Sequence, residues 1–421
     1  TPTGATTAQL VLNQSGTSAF DVFGLEVVAS ALSDAQIRAT YDATLGNEFG
    51  NLQQVVRSLW VGGLETFGAT VAARLDLASD AVRLEVTGPG GTVHSTPVAT
   101  TWLGPLRGFV ALLPVDELDP DTEYSYQVQE DGFNIPDAPA GRFRTAPSGA
   151  SSFTVAFSGD ASSGSDHVVF DAIRAEDPLL FVHLGDAHYQ NISANDPLLY
   201  HAAYDQMLSS PRARQFFREL PVEYVWDDHD YSNNNSNGSA ASRPAATSCF
   251  RLRVPSHPLV EAGPNGSIYR SFDVGRVRFV VTDQRSAASA DSATDNASKS
   301  MLGTTQKAWF KNLLSNSSGM LIVWVCPRLF QAPPTVGGDS WGGFTTERTE
   351  LCDFIHANCP GRVVVLSADM HALGIDDGSN HDYATGGGEP LPTFQASPLD
   401  ITAVAGGGTY SEGLFAENGQ F

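Results

Sequence analysis

Basic residues are scarce in this chain of 421 residues. It has 24 lysines and arginines against 47 aspartates and glutamates, which gives a formal net charge of −23 at pH 7. Proteins that bind the backbone of nucleic acids need a basic surface, so the composition argues against a nucleic-acid-binding surface. An acidic, lysine-poor chain repels anionic surfaces, and a salty or extracellular setting suits it.

Cysteine is also rare, with four in the whole chain. No two of them form a Cys-x-x-Cys pair, which argues against a zinc knuckle. Cys352 and Cys359 are close enough in sequence for a disulfide across a short loop. Cys326 lies inside an apolar run and is expected to be a buried thiol.

Long apolar runs are missing too, because no stretch approaches the length of a membrane-spanning helix. No signal peptide is visible, and the chain opens at Thr1, as a mature or trimmed protein does. Asn-x-Ser/Thr sequons, one of them at Asn191, are weak support for secretion. We expect a secreted protein, extracellular or periplasmic, that is a monomer without a transmembrane segment.

Three regions follow one another along the chain. Residues 1–50 contain a strand-like run and a helix that begins near Ser33, and they resemble the end of a laminin-G-like, glycan-binding module. Residues 51–147 look all-β, and their Tyr-x-Tyr pattern at 124–126 resembles the late strands of a fibronectin-III-like or immunoglobulin-like sandwich. From 148 to 421, strands alternate with helical patterns, which predicts an α/β layered fold.

Apolar periodicity predicts several helices in this last region. They lie at 166–176, 200–217, 304–314 and 345–357. Thr304 is the predicted N-cap of the third. The segments 232–247 and 283–302 are polar and are expected to be long loops, of the kind that often form lids.

Four apolar runs of the α/β region end in acidic residues. The runs at 153–158, 179–184, 221–225 and 363–367 lead to Asp160, Asp186, Asp228 and Asp369. Burying several charges at one sheet edge costs stability unless a metal ion or an ion-pair network satisfies them. Ligands of α/β folds gather beyond the carboxyl ends of the strands, so we expect the four strand ends to meet at one site.

The residue types at these strand ends suit hard cations. Asp186 and Tyr189 lie three positions apart after a strand, so both side chains can turn toward one ion. Asp369 and His371 alternate with period two and should face the same side. Such ligands fit Fe(III), Mn(II), Ca(II) or Mg(II), and a phenolate favours ferric iron. Two ions that share carboxylates clamp a phosphoryl group and activate water.

Each motif also has a purely structural interpretation. Asp160 alone fits a turn, and Asp186 with Tyr189 fits a helix cap followed by a core aromatic. His229, flanked by two aspartates, fits an exposed acidic turn. The joint occurrence of these motifs in this order, each at a strand end, favours the metal site.

Together the motifs resemble one known family, the PhoD-like alkaline phosphatases of the calcineurin-like metallophosphoesterase superfamily. The resemblance covers residues 150–421. It rests on Gly-Asp-x-x-Tyr at 185–189, Trp-Asp-Asp-His-Asp at 226–230, Thr-Asp-Gln-Arg at 282–285, Asp-x-Trp-x-Gly-Phe at 339–344 and Ser-Ala-Asp-Met-His at 367–371. It implies a four-layer metallophosphoesterase-type α/β sandwich that follows a small all-β domain.

The resemblance also implies hydrolysis of a small phosphate ester, monoester or diester, by a metal-activated hydroxide at a dinuclear site of Fe(III) and Ca(II). The positions that match the family's metal ligands are Asp160, Asp186, Tyr189, Asp228, Asp369 and His371. His229 matches a general acid or a hydrogen-bond donor to phosphate. Arg285 either supports the site or faces phosphate, and Asn233 or Asn234 is expected to contact phosphate as well.

The chain departs from the family in three respects. Ala368 replaces the usual glycine of the last motif, Asp160-Ala161-Ser162 lacks the histidine of the superfamily's Asp-x-His, and an expected cysteine is missing. A cysteine iron ligand is associated with the PhoD type, but this chain has no cysteine before Cys249. Zinc, manganese or a mixed pair of ions is therefore the alternative to iron and calcium. The alternative function is a catalytically degenerate protein that binds glycans at a surface. Decay of that kind should have removed some candidate ligands, and all of them are present.

Overall fold

A computed structural model describes residues 53–105, 107–404 and 408–415 of the chain. The predicted laminin-G-like segment lies outside these residues. Apart from Gln53, the described residues belong to one compact unit, Gln54–Phe421. Within the described part, none of the helices combines the length and the apolar content that crossing a membrane requires.

Antiparallel strands make up the first part of the described chain. They are β1 (Val56–Glu65), β2 (Gly68–Leu75), β3 (Val82–Gly88), β4 (Gly91–His94), β5 (Thr101–Trp102), β6 (Phe109–Val115), β7 (Glu123–Glu130), β8 (Phe133–Asn134) and β9 (Gly141–Arg144). One sheet has the order β1-β2-β6-β5, and a second has the order β4-β3-β7-β8, with β9 also paired to β7. Tyr124 and Tyr126 of β7 are buried while Ser125 between them is exposed, as the alternating pattern predicts.

Strands and helices alternate in the rest of the described chain. The strands are β10 (Val155–Ser158), β11 (Leu180–His183), β12 (Val222–Tyr224), β13 (Arg270–Val274), β14 (Val277–Val281), β15 (Leu321–Val325), β16 (Val363–Ser367), β17 (Leu373–Asp376), β18 (Thr393–Gln395) and β19 (Gly413–Phe415). The helices are α1 (Val169–Ala175), α2 (Pro197–Met207), α3 (Pro211–Glu219), α4 (Asp228–Tyr231), α5 (Arg243–Arg253), α6 (Gly303–Ser315) and α7 (Thr345–Asn358).

Two sheets carry this α/β part. β10, β11 and β12 form a parallel sheet, and the other sheet has the order β13-β14-β15-β16-β18-β17-β19. Along β15, Trp324 packs against Phe310 of α6, whereas Val325 belongs to the core shared with the three-stranded sheet. Because successive strand residues face opposite ways, the larger sheet packs helices on one face and the smaller sheet on the other. The predicted α/β fold is therefore present.

The all-β part packs directly on the α/β part. The Trp60 indole of β1 donates its Nε1 hydrogen to the Val222 carbonyl oxygen at 3.2 Å. Its ring lies 4.9 Å from that of Phe217 and 5.8 Å from that of Tyr224, between centroids. One continuous apolar core therefore includes both parts. The domain boundary at residue 147 stays a prediction.

The single helix predicted over 200–217 is wrong, because α2 and α3 divide that stretch. Ser210 is the N-cap of α3, and its side chain accepts a hydrogen bond from Ala213 N at 3.2 Å. Pro211 follows in the first turn. A proline suits that position because it has no amide hydrogen to donate, and it cannot continue the preceding helix.

Two other boundaries differ from the prediction. Leu302 occupies the N-cap position of α6, so Thr304 lies inside the helix. The N-cap residue makes no side-chain capping bond, and the Gly303 N–H donates to Ser300 Oγ at 2.8 Å. The predicted loop over 232–247 is shorter, because α5 already begins at Arg243.

All four cysteines are buried and free, so Cys352 and Cys359 do not form a disulfide. Cys352 lies in α7 and Cys359 follows its last residue. Seven residues at about 1.5 Å of rise separate them by ~10 Å along the helix, beyond the ~7 Å that a disulfide tolerates between Cα atoms. Cys326 is a buried thiol, as predicted.

Candidate metal centre

The predicted strand ends do meet. β10, β11 and β12 run parallel, so the turns that follow them lie at the same sheet edge. Asp160 and Asp186 stand in the turns after β10 and β11, and Asp228 is the first residue of α4, which follows β12. The second sheet joins them after β16, where the Asp369 N–H donates to Asp160 Oδ2 at 3.2 Å.

Four of the candidate ligands have left-handed backbone conformations. The φ angles are +63° at Asp160, +51° at Asp186, +70° at Asp369 and +53° at His371. Residues other than glycine rarely adopt such angles, and strained backbone clusters at functional sites. The period-two argument for Asp369 and His371 is therefore wrong, because both lie beyond β16 in turns rather than in extended strand.

Gly185 makes the central turn possible. Its φ is +100°, and a Cβ there would lie 2.5 Å from Asp227 N. Only glycine allows the chain after β11 to approach the chain after β12 this closely. The glycine of the Gly-Asp motif thus brings Asp186 beside Asp228.

One group of side chains forms around Asp160. The Tyr189 hydroxyl donates to Asp160 Oδ1 at 3.0 Å, and it lies 3.2 Å from His371 Nε2. The same His371 nitrogen lies 3.1 Å from Asp160 Oδ1. A carboxylate, a phenol and an imidazole thus converge, and each offers an atom that binds cations.

Asp186 and Asp228 form a second group with His229, in which one ligand atom from each lies within 4.8 Å of the others. Asp228 also belongs to a third group of the same kind with Asp227 and Asp369. The His229 backbone N–H donates to Asp186 Oδ1 at 3.2 Å and to Asp228 Oδ1 at 3.0 Å. Asp228 is thus common to both groups.

Asp160 and Asp186 have no lysine or arginine partner in the part of the chain that the structure describes. Burial and the neighbouring carboxylates of Asp228 and Asp160 raise the pKa of Asp186 well above its ordinary value. A cluster of buried oxygen ligands with so little compensation fits bound metal cations.

Arg285 lies behind the cluster and is fully buried. Its Nε donates to Asp227, and its Nη1 donates to both oxygens of Asp339 at 2.8 and 3.0 Å. Its Nη2 lies 3.8 Å from Asp228 Oδ1 and 3.7 Å from Asp369 Oδ1. Of the two predicted roles, this geometry favours support of the aspartates over contact with phosphate.

The predicted phosphate contacts Asn233 and Asn234 are exposed, and Asn234 Nδ2 donates to Asn235 Oδ1 at 2.7 Å. The next residue is the one tied to the site, because the Asn235 backbone N–H donates to Asp228 Oδ2. Sequence reasoning missed this contact, since the donor is a main-chain group.

Three other residues at the site were missed. Asp227 and Asp339 stand inside motifs of the sequence, at 226–230 and 339–344. The motifs could have indicated both residues, but neither was given a role. Asn191 carries no such signal, although it is two residues from Tyr189. Its Oδ1 lies 2.6 Å from His229 Nδ1.

Solved structures with the same fold include two phosphatases. One, described as the structure of PhoD, has a TM-score of 0.67 at 21% identity and covers 82% of this chain and 77% of its own. A purple acid phosphatase isolated from yellow lupin (Lupinus luteus) seeds has a TM-score of 0.53 at 16% identity and covers 83% of this chain and 67% of its own. At these identities the likeness defines a mixed α/β fold shared with phosphatases.

Sequence similarity identifies the family. The model of the PhoD-like phosphatase family matches residues 153–407, which is more than half of the chain. Alkaline phosphatase D of Bacillus subtilis (strain 168) is 26% identical over an alignment of length 310, and the match covers 61% of this chain and 52% of that protein. The chain thus spans about half the length of that relative. It belongs to the PhoD-like phosphatase family, and the resemblance inferred from the motifs is confirmed.

Proposed function

We propose that this protein hydrolyses phosphate esters at a dinuclear metal site at the edge of the two sheets. The observation that carries the proposal is the convergence of four acidic strand ends, of which Asp160 and Asp186 are buried without a lysine or arginine partner in the described part of the chain. Family membership supports the same chemistry, because the relatives that match are named phosphatases.

One ion would be held by Asp160, Asp186, Tyr189 and His371, and the contacts of Tyr189 and His371 with Asp160 support this grouping. The second would be held by Asp186, Asp228 and Asp369. We propose Fe(III) and Ca(II), with zinc or manganese as the alternative. Bound cations would supply Lewis-acid neutralisation of phosphoryl oxygens and lower the pKa of a water molecule.

The protein's own contribution is positioning and proton transfer. His229 is the candidate donor to the leaving oxygen, because its side chain is 16% exposed while Asp186 beside it is buried. Arg285 holds Asp228 and Asp369 in place from behind. The backbone of Asn235 orients the second oxygen of Asp228.

The finer features belong to the same proposal. They are the four-layer metallophosphoesterase arrangement, the fibronectin-III-like character of the all-β sheets, the boundaries near residues 50 and 147, secretion, and a monomer that acts on a small ester. The packing of helices, two sheets and further helices supports the first of these. The presence of all six candidate ligands in the sequence argues against a degenerate glycan binder.

The test is release of nitrophenol from p-nitrophenyl phosphate at alkaline pH, before and after chelator treatment. We expect release that the chelator abolishes and that iron with calcium, or zinc or manganese, restores. Release that survives complete metal removal would contradict the metal site. No release with any ion, from this monoester or from the bis-p-nitrophenyl diester, would contradict the activity and favour the degenerate binder.

A further inference from the structure

Asn191 is held in one orientation beside His229. Its Nδ2 donates to the Tyr189 carbonyl oxygen at 3.2 Å, and its Oδ1 lies 2.6 Å from His229 Nδ1. Since the amide nitrogen is engaged by a carbonyl, the amide oxygen must face the imidazole. An amide oxygen only accepts hydrogen bonds, so His229 Nδ1 must carry the hydrogen.

This contact leaves the other imidazole nitrogen directed at the candidate metal centre. His229 Nε2 lies 4.0 Å from Asp186 Oδ2. The face of the imidazole packs on the Tyr189 ring, with 4.3 Å between the centroids. The segment after β11 therefore holds the imidazole at its face through Tyr189 and at its edge through Asn191.

The backbone of Asn191 is suited to this task. Its φ is +52°, a left-handed conformation that asparagine and aspartate tolerate better than most residues. The short side chain can therefore bond back to the carbonyl two residues earlier and still reach His229. Asn191 is exposed, so packing in the core does not explain its position.

We propose that Asn191 is a positioning residue, which holds His229 with Nδ1–H toward the amide and Nε2 toward the leaving group. The inference rests on the proposed function. In the step it serves, the oxygen of water forms a bond to phosphorus and the ester P–O bond breaks. The leaving oxygen keeps that electron pair and takes a proton from His229 Nε2. The attacking water gives up one proton to solvent, and the imidazole regains one from solvent before the next turnover.

The experiment compares esters whose leaving groups need protonation to different degrees. Asn191→Leu keeps the side-chain size and removes the acceptor. We expect kcat to fall about 10- to 100-fold for phenyl and alkyl phosphates, as loss of general-acid catalysis predicts. For p-nitrophenyl phosphate, whose anion leaves readily, we expect a loss of less than about 3-fold, with KM little changed. An equal loss for all esters would overturn the proposal.

Three variants serve as controls. Asn191→Asp keeps an acceptor and should restore most of the activity on phenyl phosphate. Asn191→Gly adopts the left-handed backbone conformation without strain but lacks the acceptor, so it should behave like Asn191→Leu. Wild-type rates in the glycine variant would overturn the proposal. Gln190→Leu changes the exposed neighbour, whose side chain contacts Gln206, and should leave all rates unchanged.

A second measurement separates this inference from the proposed function. Nitrogen-15 NMR of histidine-labelled protein reports which nitrogen of neutral His229 carries the hydrogen. We expect Nδ1–H in the wild type and Nε2–H in Asn191→Leu. Should the wild type hydrolyse no ester, the proposed function fails, and this result still decides the role of Asn191. Nε2–H in the wild type would overturn it.

Discussion

Asp186 and Glu223 are both about 1% exposed and belong to neighbouring strands or their ends, but their surroundings differ. Glu223 of β12 lies at the packing surface between the all-β and α/β parts. Arg270 Nη2 donates to its Oε2 at 3.3 Å, and His257 Nδ1 lies 3.3 Å from its Oε1. Asp186 has aspartates as neighbours, and His229 Nε2 lies 4.0 Å from it.

The electrostatic consequences are opposite. His257 and Arg270 together overcome the effect of burial and lower the pKa of Glu223 to about 2. Burial and neighbouring carboxylates raise the pKa of Asp186. One buried carboxylate is thus balanced within the protein, whereas the other has no lysine or arginine partner in the described part of the chain. This difference separates a structural ion-pair cluster from the candidate metal centre.

The largest expected effect breaks the metal centre. In Asp186→Asn, we expect turnover of p-nitrophenyl phosphate to fall by at least ~10³-fold, because the proposed scheme loses the ligand that both ions would share. In metal-free protein the same change should raise the melting temperature, since it removes an uncompensated buried charge. Activity assays and thermal unfolding with and without chelator measure both.

Asp166→Asn, at an exposed aspartate paired with Arg212, is the control. Near-normal turnover in Asp186→Asn would contradict the scheme.

The second largest effect is expected when the ion pair between Arg270 and Glu223 is removed. Arg270→Leu leaves Glu223 buried beside His257 alone, and we expect the free energy of unfolding to fall by ~3–5 kcal/mol. Denaturant titration measures it. The double variant with Glu223→Leu should recover part of the loss, because no charge is then left unpaired. A single variant as stable as the wild type would show that Arg270 does not balance Glu223.

The smallest expected effect is the change with pH of the stabilisation that Glu223 provides. In the folded protein the pKa of Glu223 is lowered to about 2 from its ordinary value of 4.5. The stabilisation is therefore present above pH ~4.5 and is lost as pH falls toward 2. This stabilisation amounts to ~3 kcal/mol, because each unit by which the pKa differs between the folded and unfolded states contributes ~1.4 kcal/mol. Unfolding free energies of wild type and Glu223→Gln should converge over that window. A difference that stays constant from pH 6 to pH 3 would contradict this assignment.

Much of the candidate site was predictable because apolar runs and the residues after them are local features. The runs ending at Asp160, Asp186, Asp228 and Asp369 became strands or strand ends in the structure. Alternation correctly placed the tyrosines of β7. Helix boundaries were less predictable, because the serine N-cap and Pro211 divide one periodic stretch into α2 and α3.

The parts that sequence reasoning missed depend on contacts between distant residues. Arg285 is separated by more than fifty residues from Asp227 and Asp339, so no local pattern predicts that it lies behind the aspartates rather than facing solvent. Asn235 acts through its backbone N–H, which every residue except proline has. Asn191 contacts a histidine 38 positions away.

The sequence by itself determined the family, the α/β alternation and which carboxylates end the strands. Apolar periodicity and turn-forming residues are local features, which neighbouring positions of the sequence define. Only the tertiary structure decided which buried carboxylate has a protein cation and which does not. Charge balance depends on distances between side chains from different strands, and folding alone sets those distances. Glu223 beside Arg270, and Asp186 beside other aspartates, are the result.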